Sequence, residues 1–355
     1  MVGIHDNENN MNLTDRIELL SNLGDHLKTK PDSFELAKLK ASKENPWFSP
    51  ENIDLAVSAI VENYLNGEKL RSFCDGYDIG PFEKLRVSIV SAGNIPLVGM
   101  HDLLMGFLAG VKTEIKLSAK DKHLIPVMVD FLHKKEPAVK EWLQVIGQVK
   151  NPGAVIATGS DNTSRYFESY FRHIPRLIRK NRNSVAVISG EESRSDLEKL
   201  ADDVFVHFGL GCRNVSFLYV PKGYDFTEMI EVFKEKYGEL ADHSKFRNNY
   251  EYNLACSILN KEVLIQSEVL LFYEKDDYLS RIATLNYKHY NKLDDVWADV
   301  QIRSDQIQCV VSGNLKPPET IEITPFGKTQ SPQLSDFADG KDSMDFLLNQ
   351  KTSQR

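Results

Sequence analysis

Hydrophobic and polar positions divide the chain into a helical first part and a longer part in which short β-rich runs alternate with helices. Between residues 12 and 80, apolar residues recur at helical spacing, and Ser49 followed by Pro50 is typical of a helix start. From Leu85 onward the pattern changes, and such alternation predicts a doubly wound α/β fold with parallel sheets. The predicted strands are 85–90, 111–117, 154–157, 184–189, 215–220, 269–273, 306–311 and 320–324. The predicted helices between and after them are 97–108, 124–133, one ending near Pro175, 195–208, 226–237, 243–259 and a short one after 342.

Length and composition add the number of domains and exclude some classes of function. A chain of 355 residues is long for one hydrophobic core, so we expect two domains. Its hydrophobic content of 41% is typical of globular proteins, and a net charge of -8 argues against a general nucleic-acid binder. No uncharged apolar run reaches the roughly 18 residues of a membrane span, and the N-terminal residues lack the pattern of a secretory leader. We therefore expect a soluble, cytoplasmic protein.

Cys212 is the residue with the most conspicuous setting. It lies in a glycine-bracketed turn between a helical run and the alternating strand Val215–Pro221. Gly211 would let the backbone approach a ligand, and the N–H of Cys212 could point at an oxyanion. Taken alone, these residues favour a buried structural thiol over a nucleophile. The other thiols and the histidine near the turn are interpreted as structural: Cys74, Cys256, Cys309 and His207.

The turns that follow the predicted strands are the places to look for a ligand. In a parallel α/β sheet, ligands bind at the carboxyl ends of the strands. Three such turns are 91–96, 116–120 and 158–160. The chain has no GxGxxG fingerprint, no GxSxG elbow and no histidine or cysteine pair at metal-ligand spacing, so no metal is expected.

Together, these turns and the cysteine segment resemble the aldehyde dehydrogenase superfamily, with a closer match to its acyl-CoA reductase branch, the fatty-acid reductases of bacterial luminescence. The resemblance covers about residues 85–327. It implies that Cys212 is the nucleophile and that Asn94, in Gly93–Leu97, supplies the side-chain half of an oxyanion hole. It also implies that Lys116 binds the adenosine ribose of a nicotinamide cofactor. The remaining cofactor contacts that it implies are Ser118, Thr158, Gly159 and Ser160.

The resemblance also implies an architecture of two α/β domains, a Rossmann-like cofactor domain and a catalytic cysteine domain. Residues 1–80 lie outside the resemblance, and their apolar stripes predict a helical segment packed on the cofactor domain, which spans 81–183. The catalytic domain would span 184–325, and residues 326–355 would return to the cofactor domain.

Three departures from the superfamily pattern refine the expected chemistry. Hydrolytic members carry a glutamate on the strand before the nucleophile helix, whereas here the glutamates Glu191 and Glu192 come only after the strand. Without that base, hydrolysis of an acyl-cysteine should be slow. Ala119 stands where NAD-preferring relatives often have a glutamate, and Lys120 follows it; this pattern accepts a 2′-phosphate. Thr324 stands where the family's Glu-x-Phe-Gly has its glutamate, which leaves open how the nicotinamide ribose is held.

The resemblance therefore implies reduction of a fatty acyl-CoA thioester to the aldehyde, with NADPH as cofactor and NADH as the alternative. Acyl-CoA is the expected partner, and a homodimer is left open. Other functions are an NAD(P)-dependent aldehyde dehydrogenase, CoA-acylating or hydrolytic, and a cysteine acyl-transferase without redox chemistry. A non-enzymatic binding protein that has kept the fold is a further alternative.

Overall fold

The computed structural model describes residues 11–81 and 83–352, which fold into two compact units. The chain leaves the first unit after Lys180, forms the second unit from Asn181 to Ser331, and returns to the first unit at Pro332. The boundaries expected from the sequence, 183/184 and 325/326, lie a few residues from these crossings. Residues 1–10 of the expected N-terminal segment lie outside the described residues.

In the described residues, four helices precede the first strand, in the region that the spacing of apolar residues predicts to be mostly helical. Asn12 caps the first helix by accepting the N–H of Asp15, and Ser49 caps the third helix, which has Pro50 in its first turn. Their apolar stripes, with the fully buried Ile53 among them, share one core with the sheet of the first unit. The helices are α1 (Leu13–Lys28), α2 (Asp32–Glu44), α3 (Pro50–Asn63) and α4 (Gly67–Cys74).

A five-stranded parallel sheet forms the centre of the first unit. Its strands are β1 (Glu83–Val90), β2 (Val111–Lys116), β3 (Leu143–Ile146), β4 (Ala154–Thr158) and β5 (Arg176–Arg179). Its helices are α5 (Met100–Ala109), α6 (Leu124–Lys135), α7 (Val139–Trp142), α8 (Asp161–Tyr170) and, after the return of the chain, α13 (Ser343–Thr352). The strand order is β3-β2-β1-β4-β5. The chain changes direction across the sheet between β1 and β4, and such a switch point opens a crevice at the carboxyl ends of the strands.

The second unit is built on a seven-stranded sheet. Its strands are β6 (Asn183–Val187), β7 (Val215–Pro221), β8 (Ile265–Gln266), β9 (Leu271–Glu274), β10 (Thr284–Tyr290), β11 (Ile307–Val311) and β12 (Ile323–Thr324). Its helices are α9 (Arg194–Phe205), α10 (Thr227–Tyr237), α11 (Ser244–Asn260) and α12 (Leu293–Ile302). The order is β12-β11-β6-β7-β10-β9-β8, and the strand pairs are parallel except for β8 with β9.

The structure contains elements that the hydrophobic pattern does not predict. Arg176–Arg179 is a strand, although arginines spaced along 172–182 suggest the basic end of a helix. β10 and α12 are also additional to the prediction. β10 alternates polar with apolar residues, and its Asn286 is buried because the side-chain N–H group donates to the carbonyls of Asp277 (2.9 Å) and Leu279 (3.1 Å). A polar residue with its partners inside the fold carries no hydrophobic signal.

Two buried cations hold the carboxyl end of α5, where backbone carbonyls have no partner within the helix. Arg16 of α1 donates to the carbonyls of Leu108 (2.9 Å) and Gly80 (3.3 Å), and Lys351 of α13 donates to the carbonyl of Ala109 (2.9 Å). Burial lowers the pKa of Arg16 to about 10, so this guanidinium stays protonated at neutral pH. Helices from both ends of the chain are thereby fixed to one helix end.

We expect Arg16→Met to lower the free energy of unfolding by about 3 kcal/mol, because methionine fills the space and leaves buried carbonyls without donors. Lys28→Met is the control, since Lys28 belongs to an exposed ion pair with Asp25 and should change stability by less than about 0.5 kcal/mol. Urea unfolding of both variants measures the difference. Equal stability of the two variants would contradict the role given to Arg16.

Candidate active site

The turn that carries Cys212 lies in the second unit, between α9 and β7. The helix stops at Phe205, before its predicted end at Phe208. His207, Phe208 and Gly209 have left-handed backbones, with φ of 54°, 57° and 72°. Three consecutive left-handed residues cannot continue a right-handed helix, so the chain turns here. Cys212 follows, partly exposed.

Asn214 organises the turn around Cys212. Its buried side chain donates to carbonyls at the end of α9, with distances of 3.1 Å to Asp203 and 2.8 Å to Val206, and its oxygen accepts the N–H of Gly211 (2.8 Å). On the other side, the hydroxyl of Ser184 donates to the Cys212 carbonyl (3.0 Å). The backbone of the cysteine is therefore fixed from two directions. The sequence alone does not indicate this role of Asn214, because the carbonyls that it caps lie 8 and 11 residues earlier in the chain.

The sheet separates Cys212 from the glutamates that follow β6. Val215 pairs with Ser184, which places the cysteine turn at the amino ends of β6 and β7. Glu191 and Glu192 follow the carboxyl end of β6, where Glu192 accepts the backbone N–H of Ser189 (2.6 Å). A strand of this length spans roughly 15 Å. Within the second unit, the thiol therefore lies at the amino ends of the strands, and these two carboxylates lie at the carboxyl ends.

A buried carboxylate on α9 holds the segment that follows β12. Asp203 accepts the backbone N–H of Gly327 (2.7 Å) and the hydroxyl of Thr329 (2.8 Å). Burial raises the pKa of Asp203 to about 6, although the bonds to Gly327 and Thr329 oppose the increase. Thr324, at the end of β12, precedes this segment. The turn 325–327 is thus held by a side chain of α9, the helix that leads to Cys212.

The structure brings two of the predicted turns of the first unit together at the carboxyl ends of β1 and β2. The N–H of Ser91 donates to the carbonyl of Lys116 (3.0 Å). A Cβ atom on Gly93 would lie 2.6 Å from the side chain of Ser118, so only glycine permits this approach. Asn94 follows, exposed at the tip of its turn.

The third turn follows β4, the other neighbour of β1. Ser160 precedes the first residue of α8, and its hydroxyl bonds to that of Thr163 (3.0 Å). A Cβ atom on Gly159 would lie 2.8 Å from a methyl group of Thr163, so a side chain there would fill the space beside the helix start. The N-terminus of a helix attracts phosphate groups through its N–H groups and its dipole. The Thr158–Ser160 turn therefore leads into a helix start of the kind that can hold a phosphate group.

A buried ion pair that the sequence does not predict lies beside this turn. The N–H of Gly159 donates to the carbonyl of Arg179 (3.3 Å), whose buried guanidinium donates to Asp102 of α5. Burial opposes ionisation of Asp102, but the charge of Arg179 and a contact with His101 prevail and lower its pKa to about 2. The only sequence signal for this pair is an arginine directly after two apolar residues.

Residues 11–81 and 83–352 contain no cluster of three or more histidine, cysteine or acidic side chains that could hold a metal ion. In the same ranges, each helix is too short or too polar to cross a bilayer.

Comparison with known proteins gives the fold. No protein-family model matches the sequence, and no curated protein matches it. Among solved structures, an aldehyde dehydrogenase of Mycobacterium tuberculosis in complex with NAD+ is 14% identical, with 88% of this chain and 77% of that chain covered and a TM-score of 0.64. Aldehyde dehydrogenase 21 of Physcomitrella patens, in complex with the reaction product succinate, is 12% identical, with 96% and 84% covered and a TM-score of 0.63.

A third similar structure was solved with an aldehyde bound. It is a cysteine-to-alanine mutant of aldehyde dehydrogenase C from Pseudomonas syringae with NAD+ and octanal, 12% identical, with 87% of this chain and 72% of that chain covered and a TM-score of 0.59. The chain therefore has the two-domain aldehyde dehydrogenase fold, and the fold class predicted from the sequence is confirmed.

We expect Asp203→Asn to remove one component of the pH dependence of stability. The pKa of Asp203 is about 6 in the folded state and about 3.8 in the unfolded chain, so the folded state holds this proton more tightly. Stability from this group is therefore highest at low pH and falls by up to about 3 kcal/mol as pH rises from about 4 to about 7. Asparagine does not titrate, so the stability of the wild type minus that of the variant should fall over this range.

Urea unfolding at several pH values measures this difference. Asp225→Asn is the control, because Asp225 is exposed and the hydroxyl of Thr227 lowers its pKa, so the corresponding difference should not fall. A difference between the wild type and Asp203→Asn that is constant with pH would contradict the assignment.

Proposed function

We propose that this chain is an acyl-CoA reductase that reduces a fatty acyl-CoA to the aldehyde through an acyl-cysteine intermediate. The observation that carries the proposal is the separation of Cys212 from Glu191 and Glu192 by the length of β6. A carboxylate at the carboxyl end of β6 is too far from Cys212, at the amino end, to activate water for attack on an acyl group there. An acyl-cysteine that resists hydrolysis is suited to reduction.

The protein's own groups carry out the first half of the proposed reaction. The sulfur of Cys212 attacks the thioester carbonyl, a new carbon–sulfur bond forms, the bond to the CoA sulfur breaks and CoA leaves. The N–H of Cys212 and the amide of Asn94 would hold the negative charge on the carbonyl oxygen, and one such donor contributes about 3 kcal/mol. The bonds from Asn214 and Ser184 support this role, because they fix the backbone that presents the thiol.

The residues of the first unit fit a nicotinamide dinucleotide. Lys116 and Ser118 would hold the adenosine ribose, and Thr158, Gly159 and the start of α8 would hold the pyrophosphate. When bound, the reduced cofactor supplies the hydride that takes the acyl group to the aldehyde level. The thiol of Cys212 is regenerated when the aldehyde carbonyl re-forms. One acyl-CoA, one reduced cofactor and one proton thus give one aldehyde, CoA and the oxidised cofactor.

We propose NADPH as the preferred cofactor and a fatty chain as the acyl group. Ala119 and Lys120 are exposed in the turn after β2, where a lysine can bind a 2′-phosphate and a glutamate would repel it. The N–H of Lys120 donates to the hydroxyl of Ser118 (3.3 Å), which holds the turn. Support for a fatty chain comes from aldehyde dehydrogenase C, a similar structure that was solved with the eight-carbon aldehyde octanal.

Oxidation of aldehydes is the second candidate, because the similar structures are aldehyde dehydrogenases. The two reactions run in opposite directions. In the reductase, hydride takes the acyl group to the aldehyde level, whereas in the hydrolytic dehydrogenase, water releases it as an acid. Oxidation of an aldehyde to a free acid with NAD(P)+, without reduction of acyl-CoA of any chain length, would reject the reductase in favour of the dehydrogenase.

We expect Cys212→Ala to lower the rate of acyl-CoA reduction at least about 1,000-fold, because the acyl-cysteine cannot form. Cys256→Ala is the matched control, since Cys256 is also a partly exposed cysteine of the second unit and should leave the rate unchanged. The consumption of NADPH with acyl-CoA measures both. Mass spectrometry without cofactor should find the acyl group on Cys212.

The same experiment distinguishes the remaining alternatives. Labelled acyl-enzyme without binding of NADPH or NADH would indicate an acyl-transferase. If iodoacetamide labels Cys212 no faster than Cys256, and Cys212→Ala changes nothing, the chain is a binding protein with the fold of an enzyme.

We expect Lys120→Glu to shift the ratio of kcat/KM with NADPH to that with NADH by at least about 10-fold toward NADH, because the new carboxylate repels the 2′-phosphate. Lys40→Glu, a charge reversal on the exposed face of α2, should leave the ratio unchanged. An unchanged ratio in both variants would place recognition of the 2′-phosphate elsewhere.

A further inference from the structure

Asp121 is a buried carboxylate in the turn after β2 that none of the roles above explains. Asp121 is only 2% exposed. One of its carboxylate oxygens accepts the backbone N–H of Leu97 at 2.7 Å. The other oxygen is buried and finds no hydrogen-bond donor among the residues that the structure describes. A carboxylate held in this way costs free energy, because burial without full hydrogen bonding disfavours the charge.

The backbone that Asp121 contacts is strained. Leu97 has a φ of 60°, a left-handed conformation that costs a residue with a side chain roughly 1 kcal/mol or more. Its side chain is buried, which anchors the kink from one side, while the bond to Asp121 anchors its N–H from the other. Strain of this kind persists only where the surroundings hold it.

The strained residue lies three positions after Asn94, in the loop 93–97. At the start of this loop, Gly93 packs against Ser118, so the turn after β2 holds the loop at both ends. Between these two anchors, the loop exposes Asn94. The direction of the Asn94 amide therefore depends on a backbone fixed by contacts with residues 118–121.

The pKa of Asp121 is set by its burial and by its neighbours. Burial raises the pKa of Asp121 to about 6, while the bond from Leu97 and the charge of His123 oppose the increase. His123 and Lys122 both contact Glu44 of α2, at 3.1 Å and 2.8 Å. At neutral pH the carboxyl group is mainly ionised, and a bond from an N–H group to a carboxylate is stronger than one to a neutral acceptor.

We propose that Asp121 is a positioning residue, which fixes the loop 93–97 so that the Asn94 amide is presented to the oxyanion of the substrate. This inference rests on the proposed acyl-CoA reductase. Asp121 does not touch the substrate and acts only through Asn94, so the two residues should not contribute independently to kcat.

A double-mutant cycle tests this dependence in the full chain. We expect Asn94→Ala to lower kcat about 100-fold and Asp121→Ala about 10-fold to 100-fold, with KM for acyl-CoA nearly unchanged. The double variant should be no slower than Asn94→Ala by more than about 3-fold, because Asp121 has nothing left to position. Asp121→Asn, which keeps an oxygen for the Leu97 N–H, should restore most of kcat.

Asp203→Asn is the matched control for the cycle. It changes a buried carboxylate that also bonds to backbone N–H groups, but in the second unit. Its effect on kcat should multiply with that of Asn94→Ala. Losses from Asp121→Ala and Asn94→Ala that multiply in full would overturn the positioning role. If Asp121→Ala does not fold, Asp121→Ser, whose hydroxyl is too short for the bond, takes its place in the cycle.

Hydrogen exchange gives a readout that does not depend on activity. The amide of Leu97 should exchange at least about 10-fold faster in Asp121→Ala than in the wild type and in Asp121→Asn, with the core amides of β1 unchanged. If the wild type reduces no acyl-CoA but this exchange still accelerates, the proposed function fails and the anchoring of the loop stands. If the wild type is active and the exchange is unchanged, the positioning role fails alone.

Discussion

Backbone N–H and C=O groups that are buried without a partner in a helix or sheet must find one elsewhere, and this constraint governs both units. In the first unit, Arg16 and Lys351 provide donors for the carbonyls at the end of α5. In the second, Asn214 does the same for the end of α9 and continues into the cysteine turn. Of these side chains, Asn214 is the one that also bonds to the turn of a candidate functional residue, Cys212.

In each sheet the candidate functional residues lie at the ends of the strands. The amino edge is the side of the sheet where the parallel strands begin, and the carboxyl edge is the side where they end. In the first unit, the carboxyl edge carries Asn94 and the turns after β2 and β4, where the switch between β1 and β4 opens a crevice. In the second unit, the amino edge carries Cys212 and the carboxyl edge carries Glu191 and Glu192. A strand keeps its two ends apart whatever the side chains do. The separation of thiol and glutamates therefore follows from the topology of the sheet.

The sequence predicted the parts of the fold whose signal is local. Caps such as Ser49, glycines such as Gly93 and apolar runs such as β4 depend on a few neighbouring residues, and the structure has each of them. Residues whose role depends on distant partners were missed: Arg179 with Asp102, Asn214 with the end of α9, and Asp203 with Gly327. A polar residue in a sequence predicts exposure unless its buried partner is known, and only the fold supplies that partner.

Strain and buried polar groups coincide at the two turns of greatest chemical interest. Leu97 lies three residues after Asn94, and His207 and Phe208 lie shortly before Cys212, all with left-handed backbones. Each kink has a buried polar side chain beside it, Asp121 in one case and Asn214 in the other. The bonds from these side chains hold backbone conformations that cost free energy on their own. A buried polar partner beside each kink therefore fixes the backbone of the turn that carries Asn94 or Cys212.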